Sequence, residues 1–130
     1  MTTAGYSGRP LTGKLGVKPG SRVLLRAAPA GFTLDCEYDT TADGSPYDVQ
    51  LLFCPMLADL DAAWSTAVTA LTVPGALWVA WPKRASGVPT DLTDDVVREY
   101  GLDHGLVDVK VCAVDGTWSA LKLVRRKQDR

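Results

Sequence analysis

The sequence predicts an α/β domain: a mostly parallel sheet closed by an antiparallel hairpin. Strand-like and helix-like runs alternate between residues 21 and 105, the order from which parallel sheets are built. The run Ala76 to Trp81 is apolar at every position, as in a strand covered on both faces. Two alternating segments, Leu106 to Val114 and Trp118 to Arg126, flank the turn dipeptide Asp115-Gly116.

Taken in order, residues 1–10 are rich in Gly, Ser and Thr and read as a flexible N-terminal arm. Residues 11–130 form a single domain, as expected for a chain of 130 residues. Leu11 and Leu15 share one side of a short helix within Pro10 to Val17, and Lys18-Pro19-Gly20 turns out of it. Ser21 to Ala27 is the first strand. Phe32 to Asp39 admits a short strand, and Thr40 to Pro46 is loop chemistry. Tyr47, Val49, Leu51 and Phe53 line one face of the second strand, ended by Pro55. Leu60, Trp64, Ala67, Val68 and Leu71 make the apolar stripe of a helix from Asp59 to Leu71, which Val73-Pro74-Gly75 terminates. The strand Ala76 to Trp81 follows. Thr93 caps the next helix, Asp94 and Asp95 favour its N-terminal dipole, and Gly105 suits its C-terminal exit. In the first hairpin strand Val107, Val109, Val111 and Ala113 share a face, and Leu121 to Arg126 reads as an edge strand protected by Lys122, Arg125 and Arg126.

The bulk composition excludes several classes. Hydrophobic residues make up 46% of the chain, enough for a core without crosslinks. A net charge of −1 gives no electrostatic reason for nucleic acid or an anionic membrane as partner, and no apolar run reaches bilayer length. Three cysteines, Cys36, Cys54 and Cys112, form no close pair; with no secretory pattern at the N-terminus, a cytoplasmic protein is expected. Charge is unevenly placed. Residues 1–26 hold five bases and no acid, whereas residues 27–82 hold seven acids and no Lys or Arg. Either these blocks face each other in the fold, or they form a dipolar surface that steers a partner.

More specific resemblances follow from particular stretches. Lys18-Pro-Gly-Ser-Arg-Val-Leu-Leu and Thr72-Val-Pro-Gly-Ala-Leu-Trp-Val resemble the lead-in to the first strand and the central strand of S-adenosylmethionine-dependent methyltransferases. A terminal antiparallel hairpin on a parallel sheet is also the layout of those Rossmann-like folds. Gly5 to Gly16, Ala76 to Arg98 and Leu106 to Ser119 are together similar to a family of small, mainly actinobacterial proteins classed as a domain of unknown function. The chain departs from that pattern at residues 33–46, where it is shorter. The resemblance implies a truncated Rossmann-like domain of methyltransferase type and assigns no activity.

A nucleotide-type cofactor needs glycine in the turn after the first strand, so that backbone can approach the ligand. Here that turn is Arg26-Ala-Ala-Pro-Ala-Gly31, with Ala28 and Gly31 as the candidate contacts, and proline removes a donor. The acidic partner would be Asp35, Glu37 or Asp39; as a metal site this trio lacks the glycine and glutamate of a calcium loop. The loop after the central strand offers Lys83, Arg84, Ser86, Thr90 and Asp91 beyond a carboxyl strand end, where open α/β sheets bind ligands, although Thr90 or Asp91 would equally serve as a helix cap. His104, the single histidine, falls in the last turn of a helix, and no nucleophile with a nearby base follows from spacing. Trp64, Trp78 and Trp81 read as core and Trp118 as partly exposed. The expected function is a non-catalytic binding or regulatory module acting through an unidentified protein partner, without cofactor or metal. The alternative is a minimal S-adenosylmethionine-dependent methyltransferase or another nucleotide-ligand enzyme.

Overall fold

The computed structural model describes residues 10–130; the arm expected over residues 1–10 lies, apart from Pro10, outside them. The chain is α/β, with a five-stranded mixed sheet and three α-helices. In order these are α1 (Leu11–Lys14), β1 (Val23–Arg26), β2 (Tyr47–Phe53), α2 (Leu57–Thr69), β3 (Leu71–Pro82), α3 (Asp94–Asp103), β4 (Leu106–Ala113) and β5 (Trp118–Arg125). The spatial order is β1-β2-β3-β5-β4. The first three strands run parallel, and β5 pairs antiparallel with both β3 and β4.

Each face of the sheet has its own core. Leu60, Trp64 and Ala67 of α2 and Val97 of α3 cover Leu52, Leu77, Val79, Leu121 and Leu123 on one side. On the other, Leu15 and residues of the irregular stretch 28–39 cover Val49, Leu51, Trp78 and Ala80. Trp78 is fully buried, and its indole N–H donates to the Leu15 carbonyl at 3.1 Å, so α1 is tied to the central strand by the one polar atom that strand buries there. Residues 32–46 hold no strand. Asp39 instead makes a single parallel bridge to Leu24, its backbone bonding to Val23 and Leu25, and so covers the outer edge of β1.

The structure corrects three further expectations. First, Val73-Pro74-Gly75 does not separate helix from strand but lies within β3; the register jumps from Tyr47↔Leu71 to Val49↔Ala76, and the extra β3 residues bulge outward with Val73 and Pro74 exposed. Proline is tolerated there because the bulge takes it out of the ladder. Second, β5 is an interior strand, with Ala120, Leu121 and Leu123 fully buried, and the free edge is β4. Third, the alternation of β4 breaks. The register passes from Asp108↔Leu123 to Val111↔Leu121, leaving Val109 and Lys110 opposite a single residue of β5. Val107 and Val111 therefore lie on opposite faces of the sheet.

Polar groups hold the frame at its seams. Gln50 is completely buried in β2; its amide donates to the Ala67 carbonyl of α2 at 2.8 Å and accepts from Arg26 Nε at 2.6 Å. Arg98 of α3 bonds Asp108 of β4 at 3.0 Å and Asp95 at 2.8 Å. Of the early charge blocks, Arg22 meets Asp43 at 2.6 Å, and its backbone N–H meets Asp48 at 2.8 Å, so the blocks face each other at that point. Among the described residues no helix is long and apolar enough to cross a membrane.

Gly101, which costs α3 helix propensity, is where that helix lies closest to the sheet. A Cβ there would stand 2.8 Å from Leu123 Cδ2, and Leu123 is fully buried. Gly101→Val should destabilise the protein by roughly 1–3 kcal/mol through overpacking, measured by urea unfolding, and Leu123→Ala in the same chain should recover part of that loss. A neutral Gly101→Val would mean that α3 can lift off the sheet at no cost.

Candidate functional site

The loop between β3 and α3 is built by its own polar residues. Lys83 donates through Nζ to the Asp115 carbonyl at 2.7 Å and through its backbone to Thr117, which fastens the loop to the β4–β5 turn. Ser86 closes a short 3-10 turn, Arg84–Ser86, by donating to the Lys83 carbonyl at 2.6 Å and accepting from Val88. Thr90 donates to the Pro55 carbonyl and accepts from Leu92 N–H. Asp91 accepts the Leu57 N–H at 2.7 Å, capping the start of α2 rather than of the following helix. Thr93 caps α3 through Val96 N–H, as its position in the sequence predicts. Four polar side chains of the predicted site are thus spent on the loop and on a helix end, each satisfying a backbone group that would otherwise be orphaned.

Arg84 has no such partner among the described residues and is exposed. It borders a cleft of 580 Å³ between this loop and the β4–β5 pair, with Trp81, Val88, Asp91, Val111 and Ser119 also in its walls. Val88 and Val111 are exposed, 40% and 45%, so the cleft's lining combines apolar surface with the Arg84 cation. Val111 reaches this cleft only because the bulge in β4 shifted the register. Sequence periodicity alone had turned it to the other face.

Ala28 and Gly31 are not brought to this cleft. Ala28 packs into the core on the opposite face, and Gly31 is exposed at φ +83° in the turn that follows. A second cleft, of 490 Å³, opens over the carboxyl ends of β1 and β2 and is lined by Ala27, Pro29, Phe53, Pro55, Asp59 and Trp118. Ala27, which sequence reasoning passed over, holds φ +58°, a left-handed backbone that costs an alanine roughly 1–2 kcal/mol. The signal available in the sequence was its position directly after the first strand, where a glycine would have been relaxed. Asp39, one of the acids considered for ribose or metal binding, instead accepts the Tyr47 hydroxyl. His104 stands at the C-terminal end of α3, the end opposite the loop, stacked 3.8 Å from the Tyr100 ring with Nδ1 on the Tyr100 carbonyl. The thiol nearest the second cleft, Cys54, is buried, and that burial pushes it up to about 12, far from a reactive thiolate at neutral pH.

The polar ends of both helices are met in the same manner at the other side of the molecule. Arg125 donates to the carbonyls of Val68 and Leu71 at the end of α2, and Arg126 to Leu102 in the last turn of α3. Arg125 and Arg126, read from the sequence as protection for an edge strand, instead neutralise helix C-termini.

Compared with known protein families the chain finds no match, and a search of curated proteins finds no relative.

Because Asp91 caps α2 whereas the Arg84 side chain bonds nothing among the described residues, their substitutions should separate. Asp91→Ala should lower unfolding stability by about 0.5–2 kcal/mol and Asp91→Asn by much less, while Arg84→Glu should stay within about 0.5 kcal/mol of the wild type. A loss from Arg84→Glu equal to that from Asp91→Ala would make Arg84 part of the loop framework.

Proposed function

We propose that the protein is a non-catalytic binding module that meets a protein partner through the cleft beside Arg84. The observation that carries this reading is the division of labour in the loop. Lys83, Ser86, Thr90 and Asp91 are engaged in holding it, which leaves the Arg84 cation in one cleft lining with exposed Val88 and Val111. An arginine among apolar side chains is contact chemistry, enriched at protein interfaces. Among the described residues that line this cleft, no hydroxyl is hydrogen-bonded to a side-chain base. We further propose that the chain belongs with the small, mainly actinobacterial family it resembles, as a truncated Rossmann-like domain of methyltransferase type. In support, the resembling stretches Ala76 to Arg98 and Leu106 to Ser119 supply the two walls of the cleft, and the parallel strands followed by an antiparallel pair fit that layout.

A second reading, a minimal S-adenosylmethionine-dependent enzyme, is favoured by one observation: the cleft over the carboxyl ends of β1 and β2, where such sheets place ligands. Against it stand Ala27 and Pro29 in place of glycines, which bring a Cβ and a ring where backbone should approach the ligand.

Calorimetry with S-adenosylmethionine and its demethylated product distinguishes the two. No heat of binding is expected; micromolar binding abolished by Ala62→Trp, which fills the second cleft, would replace the module with the enzyme. Affinity purification from native lysate, read by mass spectrometry, should recover a partner with the wild type and lose it with Arg84→Glu/Val88→Asp. Recovery of the same partner with both chains would exclude this cleft as the contact surface.

A further inference from the structure

The sheet face opposite α2 and α3 is unevenly covered. Leu15 and residues of the stretch 28–39 pack over its β1–β3 half, but Lys122 and Val124 of β5 and Val107 and Cys112 of β4 remain half-exposed. The β4 bulge then adds two side chains to this half. With Asp108 opposite Leu123 and Val111 opposite Leu121, both Val109 and Lys110 stand against Lys122. Lys18, in the turn after α1, is close enough for its charge to act on Lys122 as well. Burial, and then Lys110 and Lys18, hold the Lys122 ammonium below the ordinary lysine value. The Lys122 ammonium lies 6.0 Å from the centre of the buried Trp78 ring, at the outer limit of a cation–π contact.

None of these three side chains makes a salt bridge or a hydrogen bond among the described residues; the ion pairs there belong to Arg22 and Arg98. Among the described residues, then, no carboxylate pairs with any of these three charges. Beside Lys110 and Lys122 lies apolar surface: Val109 is 52% exposed, and Val107 and Val124 are half-buried. Cations around valines complement one kind of surface, an apolar stripe bordered by carboxylates.

We propose that this face docks an acidic, amphipathic segment of a partner protein, with its carboxylates on Lys18, Lys110 and Lys122 and its apolar side chains on Val107, Val109 and Val124. Nucleic acid fits the face poorly, because the group offers no arginine fork for phosphate and its one aromatic ring, Trp78, is buried. A second copy pairing along the β4 edge fits no better. Antiparallel pairing centred on Val109 would set Asp108 against Lys110 of the other copy, but the bulge has placed these two on opposite faces, with Asp108 held by Arg98. The surface is separate from the cleft beside Arg84 and does not depend on the role proposed for it.

The test is a nitrogen-15 NMR titration of the full chain with a synthetic peptide carrying Leu and Glu on adjacent faces of one helix. Saturable shifts are expected at the amides of residues 107–112 and 120–124 and at the Trp78 indole. Lys110→Glu/Lys122→Glu should weaken binding by roughly tenfold or more. Lys122→Met should weaken it too, while leaving the thermal midpoint unchanged or raised, since it relieves repulsion without creating a cavity. The proposal is overturned by an absence of saturable shifts, by shifts that map elsewhere, or by charge reversal without effect. It is equally overturned if a single-stranded oligonucleotide of equal charge binds as tightly as the peptide. A fall in midpoint on Lys122→Met would assign that lysine to the fold and overturn the proposal as well.

Discussion

The structure depends on β3 being buried on both faces. From Ala76 to Pro82 no residue is exposed, and Trp78 sits at the middle with its whole surface covered. A strand so placed must have a paired strand on each side and a layer above and below. β2 and β5 supply the pairing, the two longer helices supply one layer, and α1 with residues 28–39 supplies the other. The layers differ in kind. The helical one is regular and its ends need capping. The irregular one has no helix longer than four residues, and it leaves the β4–β5 half of its face open.

The capping requirement explains where much of the polar sequence goes. Two helices on one face present two N-termini at the carboxyl side of the sheet and two C-termini at the other. Asp91 and Thr93 meet the first pair, and Arg125 and Arg126 meet the second. Each unmet backbone group in such a place costs about as much as a lost hydrogen bond. Residues that resemble ligand-binding chemistry in the sequence are therefore spent first on a helix end and on the loop itself. What remains uncommitted around the loop is Arg84 and a rim of valines, and on the opposite face a group of lysines. Both are the surfaces we propose for contact, and they lie on opposite faces of the sheet.

Much of the site was nevertheless legible. The loop from Lys83 to Asp91 was identifiable because a buried strand passes into polar residues with glycine and proline between them, which can happen only at a strand end. Its individual roles were not legible, because Asp91 caps a helix that precedes it by more than twenty residues in the chain. Arg26 counted only as one of a basic block, whereas its guanidinium meets the buried Gln50, and one of its nitrogens is left without a partner. Gln50 gave no signal at all: a single glutamine within an apolar strand does not disclose which backbone carbonyl it will meet.

By itself the sequence determined the elements: the parallel strands, both longer helices with the Thr93 cap and the Gly105 exit, and the turn at Asp115-Gly116. These follow from periodicity and local backbone preference, which act over a few residues. The tertiary structure decided which strand is the edge, where β4 slips its register, and which charges are left free. Those outcomes depend on groups distant in the chain. Leu123 becomes interior because Gly101 lets α3 close over it. Val111 faces the cleft because two residues of β4 share one position opposite β5. No local pattern encodes either contact.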